Sequence, residues 1–145
     1  VIGPCSDRMA AELTAANRDT EIVGPLPHAE AMAAMATAAV GVAPLSDTPN
    51  YRNSLPTKVI EYLGSGVPVV ASDLPGTRDE IGDLPGVRLV PAGDASAWET
   101  TLRAAVTDAE FRRAAQANAA AVRERFTWPA AAVQAWYLEV LTAPR

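Results

Sequence analysis

The hydrophobic positions of this chain fall into short runs that recur roughly every 20 residues. Most runs are continuous and rich in β-branched residues, which is typical of strands buried on both faces of a parallel sheet. The predicted strands are 1–2, 22–23, 40–43, 69–71 and 87–90. Helical patterns lie between these runs, and strand–helix–strand alternation favours an open α/β sheet with helices on both faces.

The predicted helices include a nearly continuous series over the last part of the chain. They are 7–17, 29–38, 55–64, 77–82, 95–106, 108–125 and 129–142. Three Ser/Thr-x-x-Glu patterns, which begin at Thr77, Ser96 and Thr107, predict capping boxes at helix starts.

Composition narrows the class of protein. The length of 145 residues suits one domain, and the hydrophobic fraction of 49% is sufficient for a core. A net charge of −5, with scattered basic residues, argues against a nucleic-acid partner. Cys5 and His28 are the sole cysteine and histidine, which excludes a disulfide framework and a Cys- or His-rich metal site. Without a membrane-length apolar run or a signal-peptide layout, the default expectation is a cytoplasmic domain.

The first residues, Val1-Ile2-Gly3-Pro4, resemble the end of a buried strand. Because domains rarely begin inside a strand, we expect residues 1–145 to form one domain that is truncated at its N-terminus.

The most informative motif runs from Asn53 to Tyr62, where a polar loop enters a short helix. In an open α/β sheet, ligands bind beyond the carboxyl ends of the strands, and 44–54 is the longest loop predicted there. We expect the N–H groups near Ser54 and Leu55 to be unpaired. Together with the helix dipole, such groups attract phosphate.

Glu61 lies inside the predicted helix of this motif. A carboxylate accepts two hydrogen bonds side by side, which suits the vicinal hydroxyls of a ribose. The alternative is a solvated glutamate that pairs with Lys58 three residues earlier. The residues alone leave both interpretations open.

The segment Asn53–Ser72 resembles the donor site of retaining glycosyltransferases of the group 1 family, which have two Rossmann-like domains (the GT-B architecture). The family signature is a Glu, seven residues, a second Glu, and then a small-Gly-x-Pro-Val-Val-Ala turn and strand. Glu61 takes the place of the second Glu, and 66–71 supplies the turn and strand. The resemblance implies that Glu61 binds the ribose hydroxyls. Asn53 replaces the first Glu, which touches the donor sugar, so sugar identity and activity stay open.

The resemblance extends over nearly the whole chain and implies further contacts. The turn Gly24-Pro25-Leu26 would lie beside the base, and Arg52 and Lys58 are the basic residues nearest the motif. The Arg and Lys that neutralise the diphosphate, and the acceptor-binding domain, would lie upstream. The terminal helices up to Leu141 resemble those that cross back towards that domain.

The resemblance therefore implies one half of a GT-B enzyme. It would bind a nucleoside-diphosphate sugar for retaining transfer, without a metal or organic cofactor, and would be inactive without its N-terminal domain. Peripheral membrane contact of the full enzyme stays open, as do three alternatives. These are a nucleotide-sugar epimerase half-domain, a non-catalytic nucleotide-sugar-binding module and a flavodoxin-like regulator.

Other reactive residues have simpler interpretations. We expect Cys5 to be a packed or loop thiol, and His28 to begin a helix. Asp79 and Glu80 fit the first turn of a helix better than an acid–base pair. The aromatic pair Trp136-Tyr137 belongs either to the core or to a surface that docks the N-terminal domain.

Overall fold

A computed structural model describes residues 1–127, together with residues 131, 134 and 135. The predicted α/β fold is confirmed. The helices are α1 (Asp7–Ala16), α2 (His28–Met35), α3 (Pro49–Arg52), α4 (Thr57–Gly64), α5 (Pro75–Ile81), α6 (Ala95–Thr107) and α7 (Ala109–Phe126). The strands are β1 (Gly41–Ala43), β2 (Val69–Ser72) and β3 (Val87–Val90). The predicted helix 129–142 and the pair Trp136-Tyr137 lie outside the described residues.

The three strands form a parallel sheet in the order β1-β2-β3, as the continuous apolar runs predicted. Every residue of the central strand β2 is buried, since the sheet is covered on both sides. The predicted strands 1–2 and 22–23 do not form, and this part of the chain contributes only an isolated parallel bridge between Ile2 and Gly24. Gly3 and Gly24 have φ values of 115° and 80°, which end the extended backbone there.

Helices cover both faces of the sheet. Neighbouring residues of a strand point to opposite faces, so Val69 and Val70 enter different clusters. The first cluster brings together α4, α5 and α7, and consists of Ala43, Val59, Leu63, Val69, Ala71, Ile81 and Val122. The second packs α6 and the start of α7 on the other face, through Val70, Val90, Ala105 and Phe111.

The predicted capping boxes are wrong at all three helix starts. Thr77 is buried within α5, Ser96 lies inside α6 and Thr107 is the last residue of α6. Aspartates cap the last two helices instead. Asp94 accepts a hydrogen bond from the Ala97 N–H at 2.9 Å, and Asp108 accepts one from the Phe111 N–H at 2.9 Å. The three Ser/Thr-x-x-Glu patterns therefore begin inside a helix or at its last residue. Near the second and third patterns, an aspartate supplies the N-terminal cap instead.

Asp108 also links α7 to the sheet. Its carboxylate pairs with Arg88 of β3 at 2.5 Å, and the Arg88 guanidinium lies 4.1 Å from the centre of the Phe111 ring. Two hydrogen bonds lower the pKa of Asp108 below its usual value. The larger effect comes from the Phe111 N–H, and the smaller from the Arg88 guanidinium.

This lowered pKa predicts an acid-sensitive contribution to stability. It is fully present above the unfolded-state pKa of about 3.9, and it is lost as the pH falls through the lower pKa of the folded state. We expect Asp108→Asn to lower Tm at pH 7 and to reduce the difference in Tm between pH 7 and pH 3. Calorimetric scans at both pH values measure this, and a full wild-type pH dependence in the variant would contradict it.

No helix within the described residues is long and apolar enough to cross a bilayer.

Candidate functional site

The predicted donor motif forms helix α4 and the loop before it. The chain leaves β1, forms the short helix α3, and enters α4 directly after Pro56, whose φ of −68° suits a helix entry. Val59 and Leu63 face the core, with side chains 0% and 1% exposed. Glu61, which lies between them in sequence, is half-buried on another side of the helix. The helical period therefore directs Glu61 away from the core.

The first turn of α4 presents backbone N–H groups without partners. Pro56 has no N–H, and no side chain caps the helix. Within the described residues, the N–H groups of Leu55, Thr57 and Lys58 have no hydrogen-bond acceptor. The expectation is wrong for Ser54, whose N–H donates to the Tyr51 carbonyl at 3.2 Å. The sequence reasoning missed the Thr57 and Lys58 amides, although every helix start leaves such groups.

Glu61 is available to accept hydrogen bonds. It lines a cavity of about 240 Å³ whose other walls come from α2, α4 and the end of α7. These walls are Met32, Ile60, Gly64, Ser65, Arg123, Phe126 and Thr127. Within the described part of the chain, Glu61 and Lys58 form no ion pair with each other or with another residue. The alternative of a Lys58–Glu61 pair is therefore not observed.

Asn53 lies in a different cavity from Glu61. It ends α3 and lines a space of about 450 Å³ together with Leu55, Gly76, Asp79 and Glu80. Helix α5 begins at Pro75, so the two acidic residues lie beyond its first turn, and their predicted first-turn role is wrong. Sequence reasoning did not place these carboxylates beside Asn53, because the contact joins α3 to α5.

Arg52 is held by an ion pair. Its Nε and Nη2 donate to the two carboxylate oxygens of Asp47 at 2.9 and 2.8 Å. The hydrogen bond from Arg52 lowers the pKa of Asp47 and keeps it ionised. The positive charge of Arg52 is thus already compensated, and a direct role towards an anionic ligand requires this exposed pair to open.

The turn predicted to lie beside a base borders a third cavity, of about 500 Å³. Pro25 and Leu26 line it, with Tyr62 of α4 on another wall, whereas Gly24 is outside its lining and has a φ of 80°. Burial, and to a smaller extent the negative charge of Glu61, raise the pKa of Tyr62, so its hydroxyl stays neutral near pH 7. Glu61, the pair Asn53 and Leu55, and the pair Pro25 and Leu26 therefore line three different cavities, and the other predicted site residues line none of these.

The reactive side chains outside the motif have ordinary surroundings. Cys5 is partly exposed, and its Sγ lies 3.7 Å from the Ser6 carbonyl oxygen. His28 is the first residue of α2, as predicted. No cluster of three or more metal-ligating side chains occurs among the described residues.

Comparison with known proteins identifies the family. The family model described as Glycosyl transferases group 1 matches residues 1–108. The chain therefore belongs to this family of glycosyltransferases. No curated protein matches the chain. The match covers β1–β3, α4 and the loops that surround α4, and it ends at the cap of α7.

The backbone of Asn53 depends on a glycine in α5. A Cβ atom on Gly76 would lie 2.6 Å from the Asn53 carbonyl carbon and 2.9 Å from its oxygen. We expect Gly76→Ala to shift residue 53 and to destabilise the fold by about 1–3 kcal/mol, as overpacking does. Urea unfolding measures the loss. Gly64→Ala is the control, because its nearest neighbour is a flexible Arg123 carbon at 3.3 Å; equal stability of both variants would refute this steric role.

Proposed function

We propose that this chain is the donor-binding domain of a retaining GT-B glycosyltransferase and binds a nucleoside-diphosphate sugar. One observation carries the proposal: the amides at the start of α4 and the carboxylate of Glu61, all without partners among the described residues, lie on or directly before the same short helix. Thr57 and Glu61 are about 6 Å apart along the helix axis. In a nucleoside diphosphate, the phosphates and the ribose hydroxyls are neighbouring groups, so one ligand can engage both features.

Each predicted residue except Arg52, which is paired with Asp47, has a role in this proposal. The diphosphate binds the amides of Leu55, Thr57 and Lys58, where the helix dipole adds partial positive charge. Glu61 accepts hydrogen bonds from the ribose. The donor sugar extends towards Asn53 and Ser54, and the base lies towards the turn of Gly24, Pro25 and Leu26. Lys58, which is exposed and free of ion pairs within residues 1–127, approaches the phosphates as their nearest cation.

The proposed role of the α4 amides in the reaction depends on the charge of the leaving group. In transfer from such a donor, negative charge builds on the leaving diphosphate, and preoriented N–H groups stabilise it without reorganisation. The remaining cations come from the part of the same donor domain that lies upstream of residue 1, and the acceptor is held by the N-terminal domain of the longer enzyme. We propose a cytoplasmic enzyme without a metal or organic cofactor, whose donor domain alone lacks transferase activity.

Titration calorimetry with UDP, GDP and dTDP tests donor binding. We expect weak binding of at least one nucleotide, and we expect Glu61→Ala to reduce the affinity about 10- to 100-fold, because it removes hydrogen bonds to a charged group. Glu99→Ala is the matched control, since Glu99 is exposed on α6 and pairs with Arg103. Absence of binding at millimolar nucleotide, or equal affinity of the two variants, would refute the proposal.

The replacement of the first Glu of the family signature by Asn53 fits a functional site that has been adapted, and not lost. Its cavity already contains Asp79 and Glu80, so a third carboxylate would add like-charge repulsion, whereas an amide donates and accepts hydrogen bonds. This observation weighs against the alternative of a binding module that has lost catalysis. An epimerase is less well supported, because Asp79 and Glu80 lie beside Asn53 and not in the cavity of Glu61.

Turnover of the full-length enzyme tests this interpretation. We expect the native protein to be active and Asn53→Glu to lower its turnover or change its preferred sugar. Asn50→Glu is the control, because Asn50 is exposed on α3 and lies outside the cavity lining. A native enzyme without turnover that gains activity through Asn53→Glu would instead show that the native site is inactive.

A further inference from the structure

Arg123 of α7 contacts the far end of the helix that bears Glu61. Its Nη1 donates a hydrogen bond to the carbonyl oxygen of Gly64, the last residue of α4, across 59 positions of sequence. Carbonyls in the last turn of a helix lack intrahelical donors, and the helix dipole places partial negative charge there. A guanidinium is therefore well matched to this end of α4.

The contact is part of a wider interface between α4 and α7. Val122, the neighbour of Arg123, is 2% exposed and packs in the same cluster as Val59 and Leu63. The Cγ atom of Arg123 lies 3.3 Å from the position of a Cβ on Gly64. Arg123 also lines the cavity that contains Glu61, although the two side chains form no ion pair.

We propose that Arg123 is a positioning residue that holds α4, and with it Glu61, in the orientation that nucleotide binding requires. The inference rests on the proposed function. Val59 and Leu63 pack one side of α4 against the core, but no side chain among the described residues caps the start of this eight-residue helix. The hydrogen bond from Arg123 is therefore the side-chain contact that fixes one of its ends. A hydrogen bond from α7 to its last carbonyl restrains both translation and rotation. The amides of the first turn and the Glu61 carboxylate then keep a constant relative placement.

Three variants test the proposal: Arg123→Met, Arg123→Lys and Arg113→Met. Arg113 is the matched control, since it is exposed on α7 and has no hydrogen bond or ion pair within the described residues. We expect Arg123→Met to accelerate exchange of the hydrogen-bonded amides over residues 59–66 about 10-fold, which corresponds to loss of one charge-assisted hydrogen bond. Lysine should restore part of the protection, and Arg113→Met should leave exchange unchanged.

Nucleotide selectivity provides the second readout. The ribonucleoside diphosphate that binds best is compared with its 2′-deoxy counterpart, which lacks one hydroxyl for Glu61. We expect the wild-type preference for the ribonucleotide to fall about 10-fold in Arg123→Met and to persist in Arg113→Met. In the Glu61→Ala background, Arg123→Met should not change the remaining preference further.

The outcomes separate this inference from the function on which it rests. Unchanged exchange over 59–66 in Arg123→Met would overturn the inference, whatever the nucleotide result. Faster exchange throughout the chain with unchanged selectivity would also overturn it, because it indicates general destabilisation. If the wild type binds no nucleotide, the proposed function fails, and the role of Arg123 at the site fails with it.

Discussion

The candidate site depends on the burial of one side of α4 between the sheet and α7. Val59 and Leu63 are almost completely inaccessible, and they contact the buried residues of β1 and β2 on one side and Val122 on the other. Burying a side chain of this size stabilises the fold by about 1.5–3 kcal/mol. This packing determines the side of α4 on which Glu61 lies, and the hydrogen bond from Arg123 adds a restraint at the last turn of the helix.

The electrostatics of the site rely on backbone groups more than on side-chain cations. The chain has a net charge of −5, and the two arginines nearest the carboxyl edge of the sheet are paired with aspartates. Arg52 pairs with Asp47, and Arg78 pairs with Asp73. These exposed pairs contribute little to stability, but in them the aspartates compensate the positive charge of the arginines, which would otherwise attract a phosphate. The unpartnered amides of α4, the Lys58 ammonium and the Arg123 guanidinium in the wall of the Glu61 cavity are then the sources of positive potential around α4.

Sequence predicted the parts of the fold that depend on local periodicity. The continuous apolar run that forms β2 and the helix predicted over 55–64, which forms α4, were identified without any contact information. The same holds for the place of Glu61 on α4. The helix starts were less predictable, because Asp108 competes with a nearby Thr-x-x-Glu pattern that satisfies the same rule.

The arrangement of the site residues could not be predicted from sequence, because it depends on contacts between distant segments. The approach of Gly76 to Asn53, and that of Arg123 to Gly64, join residues that have no local pattern in common. The family resemblance supplied a linear order of contacts along a donor. It did not show that Asn53, Glu61 and Leu26 would line three separate cavities, since cavity walls are formed by whichever helices pack nearby.

Helix α4 has a packed side and an exposed first turn, and this difference affects how the amino-acid sequence of the segment can change among related proteins. Val59 and Leu63 are constrained by the core, and Tyr62 covers Gly41 so closely that a Cβ there would lie 2.4 Å from its ring. Thr57 and Lys58 are exposed and have no such neighbours. Substitutions that the fold tolerates are therefore expected at the start of the helix. A library confined to those two positions would vary the proposed donor site while the scaffold stays constant.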